Sequence, residues 1–441
     1  MKSTNTFFKF VIPSVLSFAL SGVYAIVDGY FVGNTIGDAG LSAINIAYPI
    51  VAVIQSVGTG IGMGGAVHYS INKAVGSEKR ARNFIAGVWW LLIIFSIIST
   101  ICGFLFAKEL LMLLGARDSL LTLGVEYIKY ISLGAGLQVL STGLVPLMRN
   151  YGGAVCAMVA MVSGFVTNVI FDYILVWNLN GGIKGAAIAT IFGEGITAVI
   201  AIVYLLYKKS FTLKISLNKI KNVWKSIFKV GLAPFGLSLT PNISLVLINW
   251  FSAQYGGESA IAAYACISYI ICIVYLILQG VGDGSQPLMS KYYGERDFNE
   301  LHKVNKLAYS FAMVLSLVGV VLLFLTKGQI GGLFGSSEEV NQNISNILPV
   351  FLISVPFVAI SRIATASFYA TEQTVLSYVL TFVEPLLMFL LMLILPPLFG
   401  GQVMIWWSTV FARIITAVIA IALNLLFSKQ KNLRQKSKKN C

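Results

Sequence analysis

Five acidic side chains lie inside long apolar stretches of this sequence, where ionisable groups are costly. They are Asp28, Asp172, Glu194, Asp283 and Glu384. A carboxylate in the hydrocarbon interior of a bilayer costs about 2.5–3.5 kcal/mol on insertion scales, so such residues mark functional sites or are neutralised by a partner. These acids are therefore the first candidates for ion or proton binding.

Two of the acids share a helix face with a neutral polar residue. Asn168 and Asp172 are four residues apart, as are Thr190 and Glu194, and side chains at this spacing are neighbours on a helix. Asp28 and Asp172 each lie about 30 Å along an ideal helix from the start of their apolar runs. The sequence therefore predicts that Asp28, Asn168, Asp172 and Thr190 lie at a comparable depth in the outer half of the membrane.

Two carboxylates, an amide and a hydroxyl at one depth form an oxygen-rich site. Such a site, at Asp28, Asn168, Asp172 and Thr190, could hold Na⁺ or share a proton, because two ionised carboxylates in contact repel each other. The alternative is that each acid bonds locally or reaches the outer interface. For Glu194 the two interpretations are evenly balanced.

A second group of side chains suits a cavity for flat, lipophilic molecules. Methionine adapts its shape to a ligand and aromatic rings stack on cations. The candidates are Tyr24, Gln55, Met158, Met161 and Glu194. The alternative for each of them is ordinary packing within a helix bundle.

The remaining acids and the glycine-rich segments favour structural roles. We expect Asp283 to support an interface or a loop, and Glu384 to pair with Arg362 or Arg413. The glycines around residues 58–65 and 280–284 lack the Lys-Ser/Thr ending of a phosphate-binding loop and lie in apolar runs, so they predict close helix packing.

The composition excludes a soluble enzyme or a nucleic-acid-binding protein. Of 441 residues, 57% are hydrophobic and 11% charged, with a mean hydropathy of +0.84, whereas soluble chains carry about 25% charged residues. The net charge of +14 comes from Lys and Arg residues in loops between apolar runs. The five cysteines show no metal-ligand spacing and predict no disulfide framework. The first apolar run lacks a signal-peptide cleavage site, so we expect it to be a retained helix.

The apolar runs predict an all-α membrane protein with twelve transmembrane helices. A crossing needs about 20 apolar residues. The predicted helices are 8–33, 41–72, 84–107, 120–148, 153–177, 183–207, 228–254, 259–290, 304–326, 342–370, 375–397 and 402–428. With both termini in the cytosol, 24 Lys and Arg residues fall on the cytosolic side and 5 on the other, as the positive-inside rule requires.

The chain is built from two similar halves. Around an offset of 220 residues, Pro13 is matched by Pro234, Gly37 by Gly257 and Ser70 by Ser290. We therefore divide the chain into an N-lobe (1–207), a basic cytosolic linker (208–227), a C-lobe (228–428) and a basic cytosolic tail (429–441). Internal duplication of six helices is typical of transporters whose substrate path lies between two lobes, related here by a pseudo-twofold axis along the membrane normal.

Several segments resemble the multidrug and toxic compound extrusion (MATE) transporters, in the bacterial branch with an acidic site in the N-lobe. The matching segments are Asp28-Gly29-Tyr30-Phe31-Val32-Gly33, Arg149-Asn150-Tyr151-Gly152, Asn168-Val169-Ile170-Phe171-Asp172 and Gly185-Ala186-Ala187-Ile188-Ala189-Thr190. The likeness covers nearly the whole chain. It implies alternating-access antiport, in which H⁺ or Na⁺ enters while an amphipathic, often cationic, drug or metabolite leaves.

The resemblance also implies roles for single residues. The coupling ion would bind at Asp28, Asn168, Asp172 and Thr190, Pro13 would be the kink that responds to protonation, and Met161 would line the cavity. The second half departs from this pattern because Asn249 aligns with Asp28, which leaves no equivalent acidic site there. We expect a monomer in the bacterial plasma (inner) membrane, with membrane lipids and small organic molecules as partners, no nucleic acid, no enzymatic activity and no cofactor beyond the coupling ion.

Two other functions fit the sequence less well. A lipid-linked oligosaccharide flippase of the same superfamily would need several basic residues for a polyanionic headgroup, whereas only Arg362 and Arg413 lie within helices. A channel or a non-transporting receptor would predict neither a duplicated bundle nor paired acids within the membrane.

Overall fold

The computed structural model describes residues 2–333 and 338–439, and in this part of the chain the secondary structure is entirely helical. Because lipid offers no hydrogen-bond partners, helices are how these apolar runs satisfy their own backbone. The helices are α1 (Lys2–Ala74), α2 (Glu78–Leu105), α3 (Ala107–Leu113), α4 (Asp118–Leu133), α5 (Ala135–Asn150), α6 (Ala154–Phe171), α7 (Gly182–Tyr207), α8 (Leu217–Tyr255), α9 (Gly257–Gly294), α10 (Phe298–Thr326), α11 (Ile330–Leu333), α12 (Glu338–Ala370), α13 (Thr374–Phe399) and α14 (Gly401–Lys439). A π-helical segment, Asp172–Asn178, directly follows α6.

The prediction of an all-α protein with twelve crossings is confirmed. Among the described residues, eleven helices are long and apolar enough to cross a membrane, and α4 with α5 forms a twelfth span if this bent pair is counted as one. Helix α1 supplies two spans, Thr4–Gly37 and Ser42–Ala74. The side of the membrane on which the termini lie stays a prediction.

Three details differ from the simple reading of apolar runs. The run 120–148 is interrupted at Gly134, where α4 and α5 meet at an angle of 58°. Helix α8 begins at Leu217, within the predicted linker 208–227. Helix α14 continues to Lys439, although the side chains of the predicted tail 429–441, and residues 440–441 altogether, lie outside the described part of the chain.

The backbone repeats itself at the offset found in the sequence. Left-handed residues at helix ends recur 220 residues apart: Gly37 (φ 76°) and Gly257 (64°), Gly76 (82°) and Arg296 (57°), Gly152 (84°) and Glu372 (58°). The starts of α2 and α10, and of α6 and α13, are separated by the same 220 residues. This agreement between two unequal sequences supports duplication of one six-helix unit.

Glycines allow helix backbones to touch in the first half. A Cβ atom on Gly62 of α1 would collide with the Gly143 carbonyl of α5, and one on Gly231 of α8 would collide with the Gly60 carbonyl of α1. A side chain at these positions would push the helices apart, so glycine is required for the contact. The prediction of close packing around residues 58–65 is confirmed.

The described chain forms two compact units. Unit 1 runs to Asn242 and also includes Asp283–Val304, and unit 2 comprises Ile243–Gly282 and the chain from Asn305 onward. Helices α8 and α9 each have one end in each unit. The division into lobes at 1–207 and 228–428 follows the sequence repeat rather than compactness, and it stays a prediction.

Candidate functional site

The predicted ion-site residues lie on three helices of unit 1. Asp28 is on α1, Asn168 is in the last turn of α6, and Thr190 is on α7. Asp172 is the first residue of the π-helical segment, a wider turn that often occurs at functional sites. Extensive packing of α6 against α7 and α1 brings these elements together.

The carboxyl groups of Asp28 and Asp172 lie within hydrogen-bonding reach of each other. Asp172 is fully buried, and neither of its oxygens has a hydrogen-bond donor among the described residues. Since an ionised carboxylate can only accept hydrogen bonds, a bond between the two acids requires one of them to carry a proton. The two acids are therefore neighbours, and their role as an ion or proton site stays a prediction.

Asn168 lies beside this pair and is also buried, with 2% of its surface exposed. Neither its amide nitrogen nor its amide oxygen has a hydrogen-bond partner in the described part of the chain. Buried polar groups are almost always paired, and leaving one unpaired costs about 1–3 kcal/mol. Asn168 and Asp172 together therefore offer unsatisfied oxygen atoms to a cation or a water molecule.

Thr190 joins the site through a tyrosine that the sequence reading missed. Its hydroxyl donates to the Ala186 carbonyl at 3.0 Å and also makes a hydrogen bond with the Tyr127 hydroxyl. Tyr127 is 6% exposed and lies close enough to Asp28 and Asp172 to feel their charges. Its hydroxyl donates to Thr190 and so connects Thr190 with the edge of the acidic pair.

Tyr24 lies between the acidic pair and Glu194. It is four residues before Asp28 and therefore on the same face of α1, and the charges of Asp28, Asp172 and Glu194 all act on its hydroxyl. Its ring stacks on Phe165 of α6, with centroids 5.2 Å apart and planes 10° from parallel. The stacking holds the ring in place, with its hydroxyl within electrostatic range of three carboxyl groups.

Glu194 forms a separate polar cluster with Gln55, which the sequence predicted for the cavity, and Ser141, which it did not. The Gln55 amide donates to its Oε1 at 3.3 Å, and the Ser141 hydroxyl donates to its Oε2. Both carboxyl oxygens are thus satisfied by neutral donors from α1 and α5. Gln55 and Glu194 are thus in contact, and their role in a substrate cavity stays a prediction.

Met161 contacts a buried ion pair. The Arg149 guanidinium donates to the Met161 sulfur at 3.5 Å and lies 3.7 Å from the Asp283 carboxylate, with 3% and 5% of the two side chains exposed. The guanidinium also lies over the Phe18 ring at 5.3 Å. Asp283 thus supports the interface between α9 and α5, as predicted. Met158, another predicted cavity residue, is half-buried on α6.

Pro13 is buried in the first span of α1. A proline inside a helix leaves the carbonyl one turn earlier without its donor, and here Ser17 donates to the Pro13 carbonyl itself at 2.7 Å. On one side the helix meets Gly284, whose Cβ would lie 2.8 Å from the Val11 Cα. Pro13 is therefore a weak point of the backbone in a tightly packed region.

The membrane-embedded charges of unit 2 form a different cluster. Arg413 lies 3.3 Å from Glu384, donates to the Ser354 hydroxyl at 3.2 Å and sits 5.0 Å from the Tyr275 ring centroid. Arg362 donates to the Gln279 amide oxygen at 3.3 Å. Of the two partners expected for Glu384, the structure gives Arg413.

Sequence reasoning missed Tyr127 and Ser141 because both are common residues of apolar helices and neither is ionised at neutral pH. Only their contacts, Tyr127 with Thr190 and Ser141 with Glu194, mark them. In the described residues there is no cluster of three His, Cys, Asp or Glu side chains arranged for a metal. The oxygen atoms available at Asp28, Asn168, Asp172 and Thr190 suit a proton or a hard monovalent cation better than a transition metal.

Comparisons with known proteins agree with this architecture. The family model described as MatE matches residues 13–174 and 236–394. Multidrug export protein MepA of Staphylococcus saprophyticus is 26% identical over 418 residues, covering 93% of this chain and 91% of its own length, and MepA of Staphylococcus aureus is 25% identical over 417 residues with the same coverage. A crystal structure of a MATE protein in complex with MaL6 superposes with a TM-score of 0.88 at 21% identity, covering 98% of this chain and 97% of the other.

Proposed function

Because this chain belongs to the MatE family, and is thus a multi-pass multidrug efflux transporter of the bacterial plasma membrane, we propose that it is a cation-coupled antiporter driven through the Asp28–Asp172 pair. The observation that carries this proposal is the close approach of the Asp28 and Asp172 carboxyl groups, of which Asp172 is fully buried and Asp28 half-buried. Two neighbouring carboxyl groups can share one proton, and they repel each other once both are ionised. Loss and gain of that proton would therefore change the packing of α1 against the π-helical segment.

The same pair accounts for exchange rather than co-transport. When deprotonated, Asp28 and Asp172 attract an organic cation, and when protonated they do not. Proton binding and cargo binding at this face of α1 therefore exclude each other, which is what an antiporter requires. The stacked Tyr24 ring adds a surface on which a flat cation can bind.

Na⁺ is the second candidate for the coupling ion. The unpartnered amide oxygen of Asn168 and both carboxylates would provide oxygen ligands for it, and Tyr127 and Thr190 border the site. The direct contact of the two acids favours the proton, because a bound Na⁺ would be expected to separate them. The ion is therefore proposed to be H⁺, with Na⁺ as the alternative to be tested.

Movement would be possible at two weak points of α1. Pro13 interrupts the hydrogen-bond ladder near the start of the first span, and Gly37, with a left-handed φ of 76°, separates the two spans. The segment carrying Asp28 lies between these points. We propose that protonation of the pair alters the bend of this segment and so exposes the site alternately to the two sides of the membrane.

A flippase for polyanionic lipid-linked sugars is less well supported. The interior of unit 2 supplies Arg362 and Arg413, and Glu384 neutralises Arg413. Two guanidinium groups, one of them paired with a carboxylate, would not match the several phosphates of such a headgroup.

Ethidium efflux from proteoliposomes tests the proposal under a pH gradient and a Na⁺ gradient imposed separately. Asp28→Asn and Asp172→Asn should each abolish gradient-driven efflux, because an asparagine in the pair can keep a hydrogen bond to its neighbour yet cannot release a proton. Glu126→Gln is the matched control, since this acid is 37% exposed and pairs with Lys184 at the surface of the same unit. Efflux that survives both Asp variants would overturn the proposed coupling site, and efflux driven by Na⁺ alone would assign that ion.

A further inference from the structure

A basic cavity lies between the beginnings of α2 and α8, within unit 1. Its volume is about 220 Å³, which is smaller than the about 300–1,000 Å³ of pockets for drug-sized ligands. The residues that line it are Arg80, Asn83, Phe84, Lys219, Asn222, Val223 and Ser226. None of the candidate coupling residues is among them, so the role of this cavity is independent of the proposed antiport.

Close packing of three helices forms the floor of the cavity. A Cβ atom on Gly87 of α2 would lie 2.5 Å from a methyl group of Val223 on α8, so the two helices are in close contact beneath it. The His68 ring of α1 stacks on Phe84 with ring centroids 4.5 Å apart, and its Nε2 lies 3.1 Å from the Ser226 carbonyl oxygen. Contacts among α1, α2 and α8 therefore hold the walls of the cavity in place.

Four donor side chains line the cavity without a partner from the protein. In the described part of the chain, Arg80 and Lys219 form no ion pair, and the side-chain amides of Asn83 and Asn222 make no hydrogen bond. Guanidinium and ammonium groups can only donate hydrogen bonds, and an amide nitrogen adds two further donors. The cavity therefore offers donors and positive charge to an anion.

The surroundings of the cavity are also strongly basic. Segments 78–84 and 217–229, which form its two walls, contain three and four Lys and Arg residues respectively, and their single acid is Glu78. A concave surface with one sign of charge concentrates the field and attracts ions of the opposite sign. The charge of both walls thus favours an anionic ligand.

The cavity lies at the edge of the membrane, where phospholipid headgroups are found. The span Glu78–Leu105 begins two residues before Arg80. Trp90 on α2 and Trp224 on α8 lie about 15 Å and about 8 Å further along their helices than Arg80 and Lys219, and tryptophan is enriched at the membrane interface. Lipid phosphates are therefore the anions closest to this cavity.

An exposed apolar stripe continues from the cavity along α2. Trp90, Ile97 and Ile101 follow Asn83 at intervals of seven, seven and four residues, which places all four on the same face of the helix. The exposed fractions of the three apolar side chains are 37%, 55% and 50%. Acyl chains can pack along this stripe, whereas a free phosphate ion would make no use of it.

We propose that this cavity binds the phosphate group of an anionic phospholipid. Arg80 and Lys219 contact the phosphate oxygens, and the amides of Asn83 and Asn222 donate beside them. The guanidinium fork matches two phosphate oxygens, and basic pockets between transmembrane helices are typical sites for anionic lipid headgroups. The bound lipid would join the beginning of α8, and with it the basic linker, to α2 on the side of the membrane that the positive-inside count predicts to be cytosolic.

Two double variants with the same loss of charge provide the test. Arg80→Gln/Lys219→Gln removes the two cations that line the cavity, and Arg82→Gln/Lys221→Gln removes two exposed cations of the same segments that do not line it. Binding of dioleoylphosphatidylglycerol and dioleoylphosphatidylcholine to the purified full-length protein in dodecyl maltoside is measured by native mass spectrometry. We expect the first phosphatidylglycerol to bind the wild type about ten-fold more tightly than phosphatidylcholine, and this preference to fall to about two-fold or less only in Arg80→Gln/Lys219→Gln.

Two further measurements separate the site from general surface charge and from a soluble anion. Asn83→Leu keeps every charge but removes one amide donor, so it should reduce the preference by an intermediate factor. Phosphatidylglycerol should raise the thermal unfolding midpoint of the wild type and of Arg82→Gln/Lys221→Gln, whereas inorganic phosphate should leave it unchanged. An equal loss of preference in both double variants, or no loss in either, would overturn the site, and stabilisation by inorganic phosphate as large as that by phosphatidylglycerol would overturn a lipid as its ligand.

Discussion

The buried ion pair Arg149–Asp283 should contribute far more to stability than a shorter ion pair at the surface. Its N–O distance is 3.7 Å, and 3% and 5% of the side chains are exposed. At an effective dielectric constant of 20, two unit charges at this distance attract by about 4 kcal/mol. Removal of one partner also leaves the other charge buried, for which we expect a total cost of about 3–5 kcal/mol.

The surface pair Lys184–Glu126 is the comparison. Its distance is only 3.0 Å, but 50% and 37% of its side chains are exposed. Water screens such a pair, and exposed pairs contribute about 0.2–1 kcal/mol. Judged by distance alone, the surface pair would have the stronger interaction, whereas judged by burial it has the weaker one.

Two double-mutant cycles decide between these rankings. One uses Arg149→Met, Asp283→Asn and the double variant, and the other uses Lys184→Met, Glu126→Gln and their double variant. The free energy of unfolding is measured in bicelles by steric trapping. We expect an interaction energy of about 3 kcal/mol for the buried pair and below about 1 kcal/mol for the surface pair. Interaction energies that are equal, or larger at the surface, would refute the argument from burial.

Two further changes test the packing and the site. Gly62→Val should destabilise the protein by about 3 kcal/mol or more in the same unfolding assay, because the valine side chain would collide with the Gly143 carbonyl. Gly29→Ala is the control: this position faces open space, and the change should be neutral or stabilising by up to about 1 kcal/mol. A larger loss of stability for Gly29→Ala than for Gly62→Val would contradict the close helix contact. Tyr24→Phe should keep the stacking on Phe165 and the thermal stability but lower gradient-driven ethidium efflux several-fold, whereas unchanged efflux would show that the hydroxyl is not needed.

The positions of the membrane spans could be predicted from composition because each crossing needs a long apolar run with few charges. The duplicated plan could also be predicted, and it recurs in the backbone as left-handed residues 220 positions apart. The bend at Gly134 and the π-helical segment after Phe171 could not. The residues around both breaks are as apolar as those of a straight helix, so composition carries no signal for either of them.

For the candidate site, helix spacing and depth were sufficient to pair Asp28 with Asp172. They did not indicate Tyr127, which connects Thr190 with this pair. Spacing along one helix cannot determine which neutral residue of another helix lies opposite. The same limitation hid Ser141, the donor to Glu194 from α5.

Glu194 of α7 and Arg413 of α14 both lie two residues before the same sequence, Ile-Thr-Ala-Val-Ile-Ala-Ile. This inversion of charge indicates how one scaffold can serve two charges. The seven identical residues that follow each position maintain the helix surface that packs, as the burial of both Ala201 and Ala420 shows. The fold can therefore tolerate either sign of charge at this position, provided that the neighbours supply matching partners: donors for the carboxylate and Glu384 for the guanidinium. Because the packing surface is the same in both halves, the polar neighbours rather than the helix packing determine which sign of charge fits at this position. The reciprocal variant Glu194→Arg is therefore expected to be unstable because the cluster of Gln55 and Ser141 offers no acid to pair with the arginine, and not because the helix cannot pack.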